Sequence, residues 1–511
     1  MRLTGAGLRL NCRGVKVVEA RRGTLKETIV KSDWLAAEQC LGMAWHGLRA
    51  GSTAPNEAEL FRKEQGLEIG RRARELYPNG IVVANRDGKS SAGITHELIA
   101  DPSIETLFEA AFEVSPFVAR ADILKRQGEA WHVLEVKSNF SDTSEIKELI
   151  DDLAYTVMVL RRAGLQVARA SLVFLSRDYR FGDGTDRLFE VVDKTPEVGD
   201  RATEFEEDAD SIARVLFDET QPIPGLVSAC RSCAVYEDEC LGSGLAHTVL
   251  ELPGLHPTKL KRLSADGVID LSLVPNDLKL NELQERVKRS VLSGKTVVEP
   301  GLGTVLQSIN WPCHYLDFET VATFLPLYEG HGCHRQVLTQ FSLHHRDSID
   351  AEPRHSEYLA EAAKDCEREL AKVLIKKLGD RGSIIVYSHF EKTRIKALLD
   401  VFPELAERLQ AILDRLTDLL PIIRDHVYHP DFRGSFSIKK VLPALVPELS
   451  YAGLDIADGD TAITRFARMA RGEISGDDVE VTRRQLLDYC KLDTFAMVRL
   501  HETLGQLAAG R

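Results

Sequence analysis

No apolar run in this 511-residue sequence reaches the roughly 18 residues that a membrane-crossing helix requires. The opening stretch MRLTGAGLRLNCRG also lacks the long apolar core of a signal peptide. The expectation is therefore a cytoplasmic protein with reduced thiols and no membrane partner. There is no internal repeat and no low-complexity segment. Excess positive charge is missing too, because 65 Lys and Arg stand against 78 Asp and Glu, for a net charge of −13. That balance argues against a surface coated with phosphate-seeking groups. It does not exclude an enzyme acting on nucleic acid, since a metal site needs clustered acids and a local basic groove can supply the phosphate contacts. What is present is ordinary for a globular chain, 44% hydrophobic and 28% charged, and the length suits roughly two to four domains.

The order of elements divides the chain. From about residue 32 to 245 the pattern runs helix, strands (GIVVA, HVLEVKS), a long helix through EIKELIDDLAYTVMVLRRAG, a strand (ARASLVFLS) and a cysteine-rich tail. Residues 250–300 read as short helices broken by Pro and Gly. From 311 onward come strands CHYLDFE and VLTQFSLHH, a helix over 357–378, the strand GSIIVYSH and further helices. Strands alternating with helices predict an α/β protein with mixed or parallel sheets and acids at their edges. The expected units are 1–245, a helical connector 246–304, and 305–511.

In HYLDFETV, Asp317 and Glu319 lie two apart on a strand and point the same way, so something cationic or plain solvent must separate them. A divalent metal, a basic side chain and water are all open at this point. Further along, LLDYCKLDTFAMVRLHETL is helical and puts Tyr489 and Asp493 on one face. Glu391 sits at a strand-to-helix junction in GSIIVYSHFEKTRIKALL, where side chains commonly reach a sheet-edge site. Four carboxylates drawn from these elements can hold two Mg²⁺ or Mn²⁺ ions. DFE, a later acid and YCKLD together resemble the DEDDy exonucleases on an RNase H-like fold, over roughly residues 305–505. The resemblance implies Asp317, Glu319, Glu391 and Asp493 as ligands of a metal pair and Tyr489 as the residue that orients the attacking water. It also implies that GSFSIKKVLPAL, with Ser437, Lys439 and Lys440, lies along the substrate strand. One motif departs from the family, whose third acid is usually an Asp following an Asn. Here YSHFE supplies Glu391, one methylene longer, with Ser388 in place of the amide, and Asp418 of RLTDLL is the substitute acid.

The first half holds a second constellation. FVARADILKRQGEAWHVLEVKSN contains Asp122, Glu135 and Lys137, and the last two share a strand face, so a metal-binding acid lies beside a cation that can stabilise developing charge. The arrangement resembles a PD-(D/E)XK nuclease core. Cys230, Cys233 and Cys240 cluster in ACRSCAVYEDECLG, with Cys40 far upstream; four thiolates in a reduced compartment suit a 4Fe–4S cluster or Zn²⁺. One early Cys, a nuclease core and C-x₂-C-x₆-C are similar to RecB-like nucleases of the AddB and CRISPR-adaptation type, over roughly 25–245, and this resemblance implies the iron–sulfur cluster. Cys12, Cys313, Cys333, Cys366 and Cys490 have no grouping and read as core or surface thiols. Two departures stand out. Arg74 occupies the place of the family's metal-binding His, with Glu68, Glu75 or Glu109 as replacements, and a later helix that usually offers Gln offers Asp152, Tyr155 and Thr156. His46, His96 and His132 are isolated and read as packing or surface residues.

The order RecB-like domain, helical module, DEDD exonuclease resembles a bacterial family of predicted nucleases over nearly the whole chain. It implies metal-dependent hydrolysis of DNA ends or single strands, 3′ to 5′ in the second half, in repair, recombination or defence, with nucleic acid as partner, DNA ahead of RNA, and a helicase or defence-system protein alongside. Competing expectations are a first half that is a cluster-stabilised DNA-binding platform without catalysis, an acidic scaffold for other proteins, and an RNA substrate. The connector LPGLHPTKLKRLSADGVIDL reads either as a hairpin module offering N–H groups to phosphate or as a spacer.

Overall fold

The computed structural model describes residues 25–51, 54–85, 89–451 and 453–510; Cys12 and the opening stretch lie outside them. The chain builds an α/β protein around two mixed sheets.

The first sheet keeps its six strands in chain order: β1 (Ile81–Val82), β2 (Thr106–Val114), β3 (Phe117–Gln127), β4 (Ala130–Val136), β5 (Val167–Leu175) and β6 (Phe189–Asp193). Gln127 pairs with Ala130 across a two-residue turn, and Gly128 supplies the left-handed conformation, φ 61°, that the tight hairpin needs. β4 and β5 run parallel, so a crossover must join them, and the helix Ile146–Arg162 provides it. Its residues 153–160 are all buried because the helix is pressed between the sheet and the helix Thr195–Phe217.

A two-residue strand β7 (Val297–Val298) lies near the end of the connector. The second sheet has the order β10-β9-β8-β11-β12, made of β8 (Cys313–Val321), β9 (Val337–Arg346), β10 (Arg354–Leu359), β11 (Ser383–Val386) and β12 (Leu416–Asp418). β8 is central, antiparallel to β9 and parallel to β11. Seven of its nine residues are buried, and the two that keep partial exposure are Asp317 and Glu319. β13 (Val427–Tyr428) pairs back onto β7.

The helix expected over 357–378 is shorter. Residues Arg354–Leu359 form a strand paired with Gln340–His345, and the helix runs Glu367–Leu378. Tyr358 stacks on Phe341 with centroids 5.9 Å apart, so cross-strand packing overrides the helical tendency of EYLAEAAK. The connector is also no tether. Leu252, Leu260, Leu263, Leu271 and Val287 share one core with Tyr315, Ile385 and Leu500 of the second half. Within it, Arg262 pairs with Asp277 at 2.7 Å and Lys259 with the Lys279 carbonyl at 2.5 Å, so two of its cations are engaged inside the module.

The halves meet directly. The helix Glu57–Arg74 packs on the helix Gly459–Ala470 through Glu57–Arg465 and Glu64–Arg468, both 2.8 Å, with Phe61 buried between them. The loop between β8 and β9 reaches the first sheet, where His334 Nε2 donates to the Ser138 carbonyl at 2.5 Å, one residue beyond Lys137.

Candidate metal centres in the two sheets

Three elements build the centre in the second half. β8 presents Asp317 and Glu319, the long helix Asp477–Ala508 lies against β8 and β9 and presents Tyr489 and Asp493, and Glu391 opens the helix Phe390–Val401 just after β11. These carboxyls feel one another. Burial pushes Asp317 well up from its ordinary range, and the charges of Asp493, Glu391 and Glu319 push it further. Glu319 is raised by burial and then by Asp493 and Glu391, with Lys439 opposing. Burial lifts Glu391 to about 8, with Asp418 and Asp493 adding to it, and lifts Asp493 to about 6 against the Tyr451 hydrogen bond and Lys439. Tyr451 Oη donates to Asp493 Oδ1 at 2.5 Å, while Glu391 Oε2 is buried without a partner. Such a field disfavours ionisation of all four acids until a cation enters.

Cys490 is a correction. It is not a generic core thiol: its Sγ lies 3.3 Å from Asp317 Oδ2, and donors of Asp317, Glu319 and Cys490 fall within 4.8 Å of one another, a group that can hold a metal ion. The only sequence signal was its place beside Tyr489 in YCKLD, where helical spacing sends it towards the strand. Tyr489 is buried, and burial followed by Asp493, Glu319 and Asp317 keeps its phenol protonated. Lys439 Nζ lies 6.0 Å from the Tyr489 ring centroid and donates to the Ala457 carbonyl at 3.2 Å. Ser437 and Lys440 are exposed on the same segment. Asp418 is used elsewhere: its Oδ1 accepts from Ser388 N and Leu420 N, both 2.9 Å, capping a helix and pinning Ser388 at φ 116°. Asp418 adds to the rise of Glu391, and Glu391 in turn adds to that of Asp317 and Glu319.

The first half brings Asp122 from β3 and Glu135 and Lys137 from the end of β4 into a cleft of about 390 Å³, also lined by Arg74 and Glu109. Asp122 Oδ2 accepts from Val136 N at 2.8 Å, and burial, then Glu135, raises its carboxyl to about 7. Two more residues complete the group, Asp152, which the later helix was expected to offer, and Lys31, which sequence spacing did not tie to this motif. Asp152 arrives from the crossover helix, and Lys31 arrives from the helix Lys31–Gln39, placing its Nζ 2.6 Å from Glu135 Oε1 and 3.1 Å from Asp152 Oδ2. Lys137 Nζ is 3.2 Å from Glu135 Oε1 and also contacts Asp152 Oδ2. Although burial works against them, Glu135 and Asp152 hold both lysines above their ordinary value, and the lysines in turn hold Asp152 down. Of the replacement acids, Glu109 alone lines the cleft. It sits at φ 57° within β2, bound to Arg74 at 2.8 Å. Glu68 faces Arg71 and Arg72, and Glu75 faces Arg71 and Thr185. Tyr155 donates to the Ile29 and Val118 carbonyls and Thr156 is buried, so both serve packing. The histidines stay outside: His46 contacts Glu239, His132 contacts Ser171, and His96 is exposed.

Cys40, at the end of the helix Lys31–Gln39, meets Cys230, Cys233 and Cys240 from about 200 residues later. Burial raises the Cys230 thiol first, and Cys40, Cys240 and Cys233 each add to it; Cys240 responds to burial, Cys40 and Cys233. Cys313, Cys333 and Cys366 are buried as free thiols.

Residues 314–437 match a family described as a domain of unknown function, DUF2779. The match begins one residue into β8, takes in Asp317, Glu319, Glu391 and Asp418, and ends before Tyr489 and Asp493. No curated protein matches the chain.

Proposed function

We propose that the chain is a metal-dependent nuclease whose second half hydrolyses phosphodiester bonds, with the DEDDy arrangement on an RNase H-like sheet. The observation that carries this reading is the close group of Asp317 and Glu319, raised by burial and then by Asp493 and Glu391, with none of the four acids paired to a lysine or arginine among the described residues. A five-stranded mixed sheet with its acidic first strand at the centre supports the fold assignment. Two Mg²⁺ or Mn²⁺ ions held by these oxygens would lower the pKa of the attacking water and stabilise the leaving oxygen. The chain's own residues do the rest. Tyr489, kept protonated, donates a hydrogen bond that orients water beside Asp493, and Tyr451 holds the Asp493 carboxylate in place. Lys439 supplies the cation nearest to Glu319 and Asp493, placed to meet a phosphate as the strand enters, with Ser437 and Lys440 along its path.

For the first half, the sheet with Asp122, Glu135 and Lys137 supports a PD-(D/E)XK core, and the four converging cysteines support a 4Fe–4S cluster. A second reading, the non-catalytic DNA-binding platform, is favoured over a second nuclease by Lys31, which already neutralises the acids.

End-labelled single-stranded DNA, duplex DNA and RNA, incubated with Mg²⁺ or Mn²⁺, test this. The expected result is metal-dependent shortening of DNA from its 3′ end, lost in Asp317→Ala and Asp493→Ala and kept in Glu135→Ala. Degradation untouched by the first two variants overturns the assignment. Iron and sulfide in the purified protein, absent from Cys230→Ser, check the cluster; zinc alone overturns it.

A further inference from the structure

Glu135 and Asp152 come from different elements and converge on one point, and two ammonium groups hold it, Lys137 from the motif itself and Lys31 from a distant helix. Lys31 Nζ makes the 2.6 Å contact to Glu135 Oε1 and the 3.1 Å contact to Asp152 Oδ2, bridging two acids 17 residues apart from a position 104 residues before the first of them. Convergent carboxylate oxygens are what a hard divalent ion takes as ligands. A lone pair on Glu135 Oε1 that accepts from an ammonium at this distance is not free to coordinate a metal. Glu135 Oε2 is meanwhile buried without a partner, and Asp122 lies close enough to Glu135 to be raised by it, so the remaining oxygens also face an incompletely satisfied cavity.

Lys31 is not a wandering surface lysine. Two residues before it, Ile29 bridges to the first sheet, with Ile29 N donating to the Pro116 carbonyl at 2.8 Å, Val118 N donating to the Ile29 carbonyl at 3.0 Å, and Tyr155 Oη donating to the same carbonyl at 2.6 Å. Three residues after it, Trp34 is fully buried against Phe117, Tyr155 and Phe205. Backbone pinned on one side and an indole buried on the other aim the lysine at Glu135 and Asp152, with 23% of its side chain left exposed.

We propose that Lys31, added to the Lys137 that the motif already supplies, is a resident second cation of this centre, standing where a divalent ion would sit between Glu135 and Asp152, so that Mg²⁺ and Mn²⁺ are excluded while the helix Lys31–Gln39 is docked. This deepens the platform reading of the first half and does not depend on hydrolysis in the second, because the readout is metal stoichiometry.

The test uses the full chain carrying Asp317→Asn, Glu319→Gln and Asp493→Asn, which removes the other ligand set, titrated with Mn²⁺ and followed by electron paramagnetic resonance of the free ion. With Lys31 present, adding Glu135→Gln should leave the bound Mn²⁺ unchanged. Lys31→Met should gain one Mn²⁺ per chain, bound at least about tenfold more tightly than any site in the parent, and lose it again when Glu135→Gln is added. Lys31→Arg, which keeps the cation, should behave as the parent. A parent that binds a Mn²⁺ which Glu135→Gln removes overturns the proposal, as does a folded Lys31→Met that gains none. Should Lys31→Met fail to fold, the parent against its Glu135→Gln form still decides: equal stoichiometry supports the resident lysine, and a lost ion refutes it.

Discussion

At the end of β4, Glu135 and Asp152 share two ammonium groups; on β8, Asp317 and Glu319 face two further carboxylates, and the cation that acts on the group, Lys439, is shared with the Ala457 carbonyl. Each centre puts acids from a strand beside an acid from a helix. Each also has a non-glycine residue in the left-handed region nearby, Glu109 in one and Ser388 in the other, where backbone strain tends to collect at functional sites. The difference is where the compensating charge comes from. The first centre carries Asp122, Glu135 and Asp152 against Lys31 and Lys137, three negative groups to two positive. The second carries four acids and leaves most of the compensation to something from solution. An acidic motif therefore states that a cation is needed, and the rest of the fold decides whether the chain brings its own.

Hydrolysis offers the widest separation between the two. Asp317→Asn or Asp493→Asn should lower strand degradation by about 10²–10³-fold or more, while Glu135→Gln changes it by less than about tenfold, followed on end-labelled single strands. If both centres respond alike, the contrast fails. Tyr489→Phe comes next, with an expected loss of about 10²-fold in kcat and unchanged Mn²⁺ affinity, read from kinetics beside a metal titration. A matching loss of metal affinity would move Tyr489 from orienting water to building the site.

Stability should separate the centres by sign. In chelator above about pH 8, where its carboxyl ionises, Glu391→Gln removes a buried, unpartnered charge and raises Tm, whereas Glu135→Gln strands Lys31 and Lys137 and costs up to about 3–5 kcal/mol. Thermal unfolding of the two variants side by side checks this, and two shifts of the same sign would break the comparison.

The smallest effect is the pH profile. Asp493 at about 6 and Glu391 at about 8 lie above the ordinary carboxyl value near 4. The folded chain keeps protons there that the unfolded chain releases, so this contribution to stability is complete below about pH 4 and is lost as pH rises through 6 to 8. Metal-free protein should lose a few degrees of Tm across that window, and Mn²⁺ should flatten the slope. Asp152 runs the other way: held low by two lysines, it stabilises above the ordinary carboxylate range and loses that only as pH falls.

Much of each centre was legible in short stretches of sequence, for a simple reason. Residues two apart on a strand share a face, which announces Asp317 with Glu319 and Glu135 with Lys137; residues four apart on a helix share a face, which announces Tyr489 with Asp493. C-x₂-C-x₆-C is equally local. Hydrophobic alternation likewise exposed the α/β character and the crossover helix. Periodicity was weaker where an element is short or buried on all sides, and residues 357–359, expected as the start of a helix, pair with β9 instead.

Chemistry that depends on distance along the chain left no such trace. Lys31 finds Glu135 across 104 residues, Cys490 finds Asp317 across 173, and Asp418 is already employed at a helix N-terminus. Sequence alone determined which side chains share a strand or helix face, because backbone geometry repeats every two or 3.6 residues. Tertiary structure alone decided which of those faces meet, and so which acids are paired with lysines and which are left without a paired cation, because charges interact through space at a few ångströms regardless of their separation along the chain.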